Sequence, residues 1–173
     1  VDAAGNPITP IYTYADSRSA EDVALLKTVV DEPSKHQRTG CPLHTAYHPA
    51  RLHWLRRTEP ALFAPVVMWL DFATYLYGRW FGAASCSYSV ASWSGLLNRS
   101  DLTWHEQWLY ALDLDAARLP DLADYSDTIT GLTETYAARW PLLRDVPFCL
   151  AVGDGAAANV GSGCVDESCV EIT

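Results

Sequence analysis

Three kinds of segment are missing from this chain, and each absence excludes a class of protein. No stretch approaches the roughly 18 uninterrupted apolar residues of a membrane-spanning helix. No basic segment followed by an apolar run stands in the opening Val1-Asp2-Ala3-Ala4-Gly5-Asn6, so no secretory leader is legible there. Positive charge is scarce: 12 Lys and Arg face 21 Asp and Glu, for a net charge of -9. Phosphate backbones and anionic membranes are held by clustered Lys and Arg, so neither nucleic acid nor membrane is an expected partner. A small phosphate-bearing substrate, which needs only a few donors, is still allowed. No internal repeat or low-complexity linker interrupts the chain, and no Gly-x-Ser-x-Gly elbow supports a hydrolase reading of Ser85, Ser87, Ser89, Ser92 and Ser94. Alternating Ser on an exposed strand face is the reading preferred for those residues.

Cysteine is also sparse. Five stand at 41, 86, 149, 164 and 169, an odd number without framework spacing. Reduced thiols in a cytoplasmic protein are therefore expected, Cys164 and Cys169 included. The sequon Asn98-Arg99-Ser100 is then accidental. The spacing of Cys41, His44, His48 and His53 is close to that of a zinc site, but no metal is expected here.

What is present describes one domain. The chain has 173 residues, of which 49% are apolar, enough for a real core. Seven Trp and nine Tyr supply packing groups and pocket walls. The chain opens on Val1 rather than Met, which suggests that it lies inside a longer protein or was processed.

Residues 5–14 read as a turn followed by a strand. An acidic start at Glu21-Asp22 leads into an amphipathic helix from Ser19. Pro49 opens a second helix carrying Arg51, Arg56 and Arg57, read as a solvated face. Helices follow from Pro60 to Phe63 and from Phe72 to Phe81, stopped by Gly82. The aromatic run through Trp69, Phe72, Tyr75, Tyr77, Trp80 and Phe81 has helical spacing and reads as core packing. Residues 86–98 read as strand and turn, Leu102 to Leu112 as a helix. A short strand at 127–132 precedes a helix from Thr133 to Trp140. The apolar run Val146 to Val152 reads as a buried strand, Ala156 to Val160 as a helix, and Val170 to Thr173 as a strand. Strands alternating with helices give an α/β fold with a mixed sheet and flanking helices.

The segment 146–163 is the most informative. A strand ends at Val152, Gly153-Asp154-Gly155 turns, and a helix begins. Ligands of α/β sheets sit beyond the carboxyl ends of strands. The glycines allow close approach to the backbone, and the helix start favours an ionised carboxylate. A carboxylate so placed can take the proton of a hydroxyl that attacks phosphorus. The alternative is that Asp154 only caps its helix.

Gly153-Asp154-Gly155-Ala156-Ala157-Ala158-Asn159-Val160-Gly161-Ser162-Gly163 closely resembles the strand-turn-helix of FGGY carbohydrate kinases, and within them the gluconate kinase-like branch. Three further stretches agree in order: Tyr14-Ala15-Asp16-Ser17-Arg18; Thr39-Gly40-Cys41-Pro42-Leu43-His44 with Pro49-Ala50-Arg51-Leu52-His53-Trp54-Leu55; and Ser92-Trp93-Ser94-Gly95-Leu96-Leu97 with Leu102-Thr103-Trp104. Tyr14 stands where Trp is usual, and Arg51 where Lys is common. The resemblance implies part of a ribonuclease H-like, actin-like domain, with residues 1–173 belonging to the N-terminal, sugar-binding domain. The family's first phosphate-binding hairpin and its C-terminal ATP-binding domain have no counterpart in these residues. It implies ATP- and Mg2+-dependent phosphorylation of a sugar or sugar acid, gluconate or a ketose. Asp154 would be the general base, and Asp16, Tyr47, Gly153 and Gly155 would bind substrate. The chain alone is expected to hold neither ATP nor metal tightly and to be inactive. The rival from another class is a non-catalytic sugar-binding or assembly module on the same scaffold. Oligomeric state is left open, a homodimer among the alternatives.

Overall fold

Caps and prolines decide where the helices of this chain begin, as a computed structural model covering residues 1–83 and 85–172 shows. Helix α1 (Ala20–Val29) carries Glu21 and Asp22 in its first turn and Lys27 in its last, each suited to the helix dipole. Asp31 accepts a hydrogen bond from the Ser34 amide and opens α2 (Glu32–Thr39), with proline in its first turn. Proline likewise starts α3 (His48–Thr58) and α4 (Pro60–Phe63). Asp71 caps α5 (Phe72–Phe81), which stops at the left-handed Gly82.

The second half alternates short strands and helices. Strand β1 (Cys86–Ser87) leads straight into α6 (Tyr88–Ser92), whose cap is Ser87. Then come β2 (Leu97–Asn98), β3 (Thr103–Trp104), α7 (Glu106–Leu112), β4 (Leu122–Ala123) and β5 (Thr128–Ile129). Helix α8 (Glu134–Arg139), β6 (Phe148–Cys149) and α9 (Asp154–Ser162) complete the described chain. The strands form three two-stranded ladders: β1 parallel to β4, β2 antiparallel to β3, and β5 antiparallel to β6. Among the described residues no helix is long and apolar enough to cross a membrane.

The main core lies where α1, α3 and α7 meet. Leu26, Leu55 and Leu96 are at most 1% exposed, with Leu52, Trp108 and Leu112 packed around them. Burying a leucine of this kind contributes about 1.5–3 kcal/mol. Asp22 is also fully buried. It accepts hydrogen bonds from Arg57 at 2.9 and 3.0 Å and shares one with His53 at 2.6 Å. Burial alone would raise its carboxyl, but these partners more than offset that and hold it below the usual range.

Several expectations are corrected. Residues 8–14 make no ladder, because Pro7 and Pro10 remove strand donors. Helix α2 had no predicted counterpart; its polar sequence lacks the apolar period that signals a helix. The predicted helix from Leu102 begins only at Glu106. Leu102 has a positive φ of 53°, and Thr103 and Trp104 pair with β2 instead. Residues 86–98 contain a helix as well as strands, and Ser87 and Ser94 are buried rather than on an exposed face. Within this chain the run 146–152 forms only the two-residue strand Phe148–Cys149, with Val146 and Val152 exposed and Leu150 buried. Residues 170–172 form no strand, and Thr173 lies outside the described residues. The arginines of α3 are not an idle solvated face. Arg57 pairs with Asp22 and Glu21, and Arg56 reaches the Leu112 carbonyl and Asp113 at the end of α7.

Candidate active site

Strand β6 delivers the chain to Gly153, and α9 starts at the next residue. Asp154 is therefore the first residue of α9 and not its cap, a position held by Gly153. Its carboxylate is exposed and accepts one local hydrogen bond, from the Gly155 amide at 2.8 Å. The helix dipole favours the ionised form at this end.

The turn is gripped from one side by the segment around α6. The Ser87 hydroxyl donates to the Ala151 carbonyl at 2.5 Å, and the Ser89 hydroxyl accepts from the Gly153 amide at 3.1 Å. Trp93, just past α6, lays its indole against both glycines. A Cβ on Gly153 would stand 2.7 Å from Trp93 Nε1, and one on Gly155 would stand 3.0 Å from Cζ2. Gly153 has an ordinary backbone, φ -63° and ψ 143°. Glycine is thus required there by close approach and not by conformation.

Asp16 sits in the loop before α1. Arg18 donates to both its carboxylate oxygens, from Nε at 3.0 Å and Nη2 at 2.5 Å. These hydrogen bonds hold the Asp16 carboxyl down to about 2. Tyr47 precedes α3, and burial pushes its phenol up. Arg51 ties the two loops together, donating to the carbonyls of Tyr12, Thr13 and Thr45. Such three-way bonding uses the spread donors of a guanidinium, which a Lys cannot reproduce.

Residues 92–95 run between Tyr47 and the Asp154 turn. The Ser92 carbonyl accepts from the Cys41 thiol at 3.2 Å, and the Ser94 carbonyl from the His48 amide at 2.8 Å. A Cβ on Gly95, whose φ is +75°, would meet Tyr47 Cβ at 3.1 Å. The structure therefore joins Asp16 to Tyr47 through Arg51, and Tyr47 to Gly153 and Gly155 through residues 92–95. Cavities of about 430, 110, 600 and 330 Å3 are lined by neither Asp16, Tyr47 nor Asp154. Sequence reasoning missed Trp93, Ser87, Ser89 and the tying role of Arg51. The Ser-rich stretch held the signal, since a serine before a helix start reads as a cap.

The zinc-like residues go separate ways. His53 bonds Asp22, His44 Nδ1 accepts from the Ala46 amide at 3.1 Å, and the Cys41 thiol donates to the Ser92 carbonyl. Among the described residues no three His, Cys, Asp or Glu converge. Cys164 and Cys169 are joined by a disulfide, against the expectation of reduced thiols. Their Cα atoms lie 5.0 Å apart across the short loop after α9, which brings them within bonding range. Free thiols are described for Cys41, Cys86 and Cys149.

Comparison with known proteins gives the family and the fold. Residues 1–161 match the model of the FGGY family of carbohydrate kinases, N-terminal domain. Gluconokinase of Bacillus subtilis (strain 168) is 22% identical over 173 residues, covering 100% of this chain and 34% of that protein. Xylulose kinase of Escherichia coli (strain K12) is 29% identical over 166 residues, covering 96% of this chain and 34% of that protein. The crystal structure of gluconate kinase from Lactobacillus acidophilus superposes with a TM-score of 0.89 at 23% identity, over 94% of this chain and 33% of that one. The chain spans about a third of the length of the relatives it matches. The structural likeness shows the α/β fold of these kinases.

Proposed function

Because the chain belongs to the FGGY family of carbohydrate kinases, we propose that residues 1–173 are part of the N-terminal, sugar-binding domain of a kinase acting on a sugar or sugar acid, gluconate or a ketose. The observation that carries this reading is the exposed carboxylate of Asp154, first in α9 and flanked by two glycines with no room for side chains. Asp154 takes the proton from the substrate hydroxyl as that oxygen attacks phosphorus, and it orients the hydroxyl before transfer. Asp16, kept ionised by Arg18, offers its remaining lone pairs to sugar hydroxyls. Tyr47 supplies a ring edge and a phenol to the sugar.

The family draws its phosphoryl group from ATP with Mg2+. The described residues hold no convergent acid cluster that could cage the metal, so no step here is routed through it. The isolated chain should neither bind ATP well nor turn over. The test is a coupled ADP-release assay of the intact protein against aldonic acids, ketoses and polyols. Sugar-dependent ADP release from at least one aldonic acid or ketose is expected. Sugar binding without ADP release across the panel would overturn the reading in favour of a non-catalytic binding module.

A further inference from the structure

Helix α9 carries the proposed base, yet it buries none of its own residues. Val152 before it is 44% exposed, and Val160 within it is 68% exposed. Within this chain, the contacts on the Asp154 turn are made at the start of the helix, where the chain meets α6 and the residue that follows it. Three contacts meet there: Ser87 on Ala151, Ser89 on Gly153, and the indole of Trp93 across Gly153 and Gly155.

Trp93 is the unusual member of this group. It is 52% exposed within this chain. Its five-membered ring lies against Gly153 and its six-membered ring against Gly155, with Asp154 between them in the chain. Both contacts are so close that a single added methyl at either glycine would force the ring or the backbone to move. We propose that Trp93 is a positioning residue: the indole braces the Gly153–Gly155 turn and sets where the Asp154 carboxylate stands toward the substrate hydroxyl. This rests on the reading of Asp154 as the base.

The geometry fixes what substitution does. Removing the indole leaves the helix start held only by the two serines, and the carboxylate moves over a wider range. A general base displaced by about 1 Å costs as much as 100-fold in turnover. Substrate affinity, to which Asp16 and Tyr47 also contribute, should change less than turnover. Gly153→Ala has a permitted backbone and its three nearest neighbours are indole atoms, so most of its cost should exist only while Trp93 is present.

The experiment compares Trp93→Ala, Trp93→Phe, Gly153→Ala, the double variant Trp93→Ala/Gly153→Ala and Asp154→Asn in the intact protein. Turnover and sugar KM are measured on each, with melting curves to establish folding. Trp93→Ala should lower kcat about 10- to 100-fold with sugar KM within about threefold. Trp93→Phe, which keeps a ring against Gly153, should regain most of the loss. Gly153→Ala should be impaired alone yet add little in the Trp93→Ala background. Trp93→Ala at wild-type kcat beside an inactive Asp154→Asn would overturn this inference alone, as would losses at 93 and 153 that simply multiply. Should Trp93→Ala unfold, Trp93→Phe and Gly153→Ala still decide: unchanged kcat in both would overturn it. Normal turnover of Asp154→Asn would overturn the base assignment and this inference with it.

Discussion

Residues 20–58 and 146–162 are held in place by different means. In the first, α1 and α3 enclose fully buried leucines and a carboxylate bonded to His53 and Arg57. In the second, Leu150 is the one residue under 9% exposed, and the backbone is held by the β5 ladder, by hydrogen bonds with Ser87 and Ser89 and by one indole. The lesson is a division of labour. Within this chain the first region packs a core, and the second presents a carboxylate at the surface, where a ligand can reach it. Local stability should follow the same gradient.

Substitutions can break or sharpen that contrast. The largest effect is expected from Leu55→Ala, 1% exposed at the centre of the core: denaturant titration should show a loss of about 2–5 kcal/mol. Leu150→Ala, with exposed neighbours that can close over the gap, should fall at the low end of that range. An equal loss at both sites would remove the distinction. Next comes Asp22→Asn, which should cost about 1.5–3 kcal/mol by weakening the bonds from Arg57 and His53. Its pH signature follows from a depressed carboxyl: the contribution is fully present above the unfolded value near 3.9 and is lost as pH falls through the lower folded value. The stability of Asp22→Asn should therefore converge on that of the native chain in acid.

A smaller effect concerns His48. Burial, with Arg51 nearby, pushes its imidazole down to about 4, against the opposing pull of Asp71. Nδ1 is buried without a hydrogen-bond partner. The unfolded chain takes up a proton below about 6.5 that the folded chain refuses. Stability should therefore decline between pH 6.5 and about 4, by about 1–2 kcal/mol at pH 5, and His48→Gln should flatten that decline. Thermal melts across this window decide it. The smallest effect is expected at Val160→Ala, on the exposed α9, within about 0.5 kcal/mol of zero. A larger loss would mean that α9 is anchored by packing after all.

Where the sequence carried a strong local signal, the structure follows it. Pro49, Pro60 and Gly82 mark helix ends that are observed within a residue. The Gly-Asp-Gly turn stands between a strand and a helix as its glycines indicate. Partners distant in sequence were not legible. Asp22 looked like an ordinary acidic helix start, and only α3, 31 residues on, makes it a buried hydrogen-bonded group. Arg51 looked like a helix-face cation, yet its contacts are carbonyls 38 and 39 residues away. Trp93 read as a member of a motif, and nothing local marks it as the neighbour of Gly153. Binary pattern specifies elements, whereas such contacts depend on how the elements are assembled.

The most direct test is Asp154→Asn in the intact protein, with turnover and sugar affinity measured side by side. Phosphoryl transfer should fall about 10²- to 10⁴-fold while sugar affinity and melting temperature hold. Wild-type turnover in that variant would contradict the assignment of Asp154 as the base.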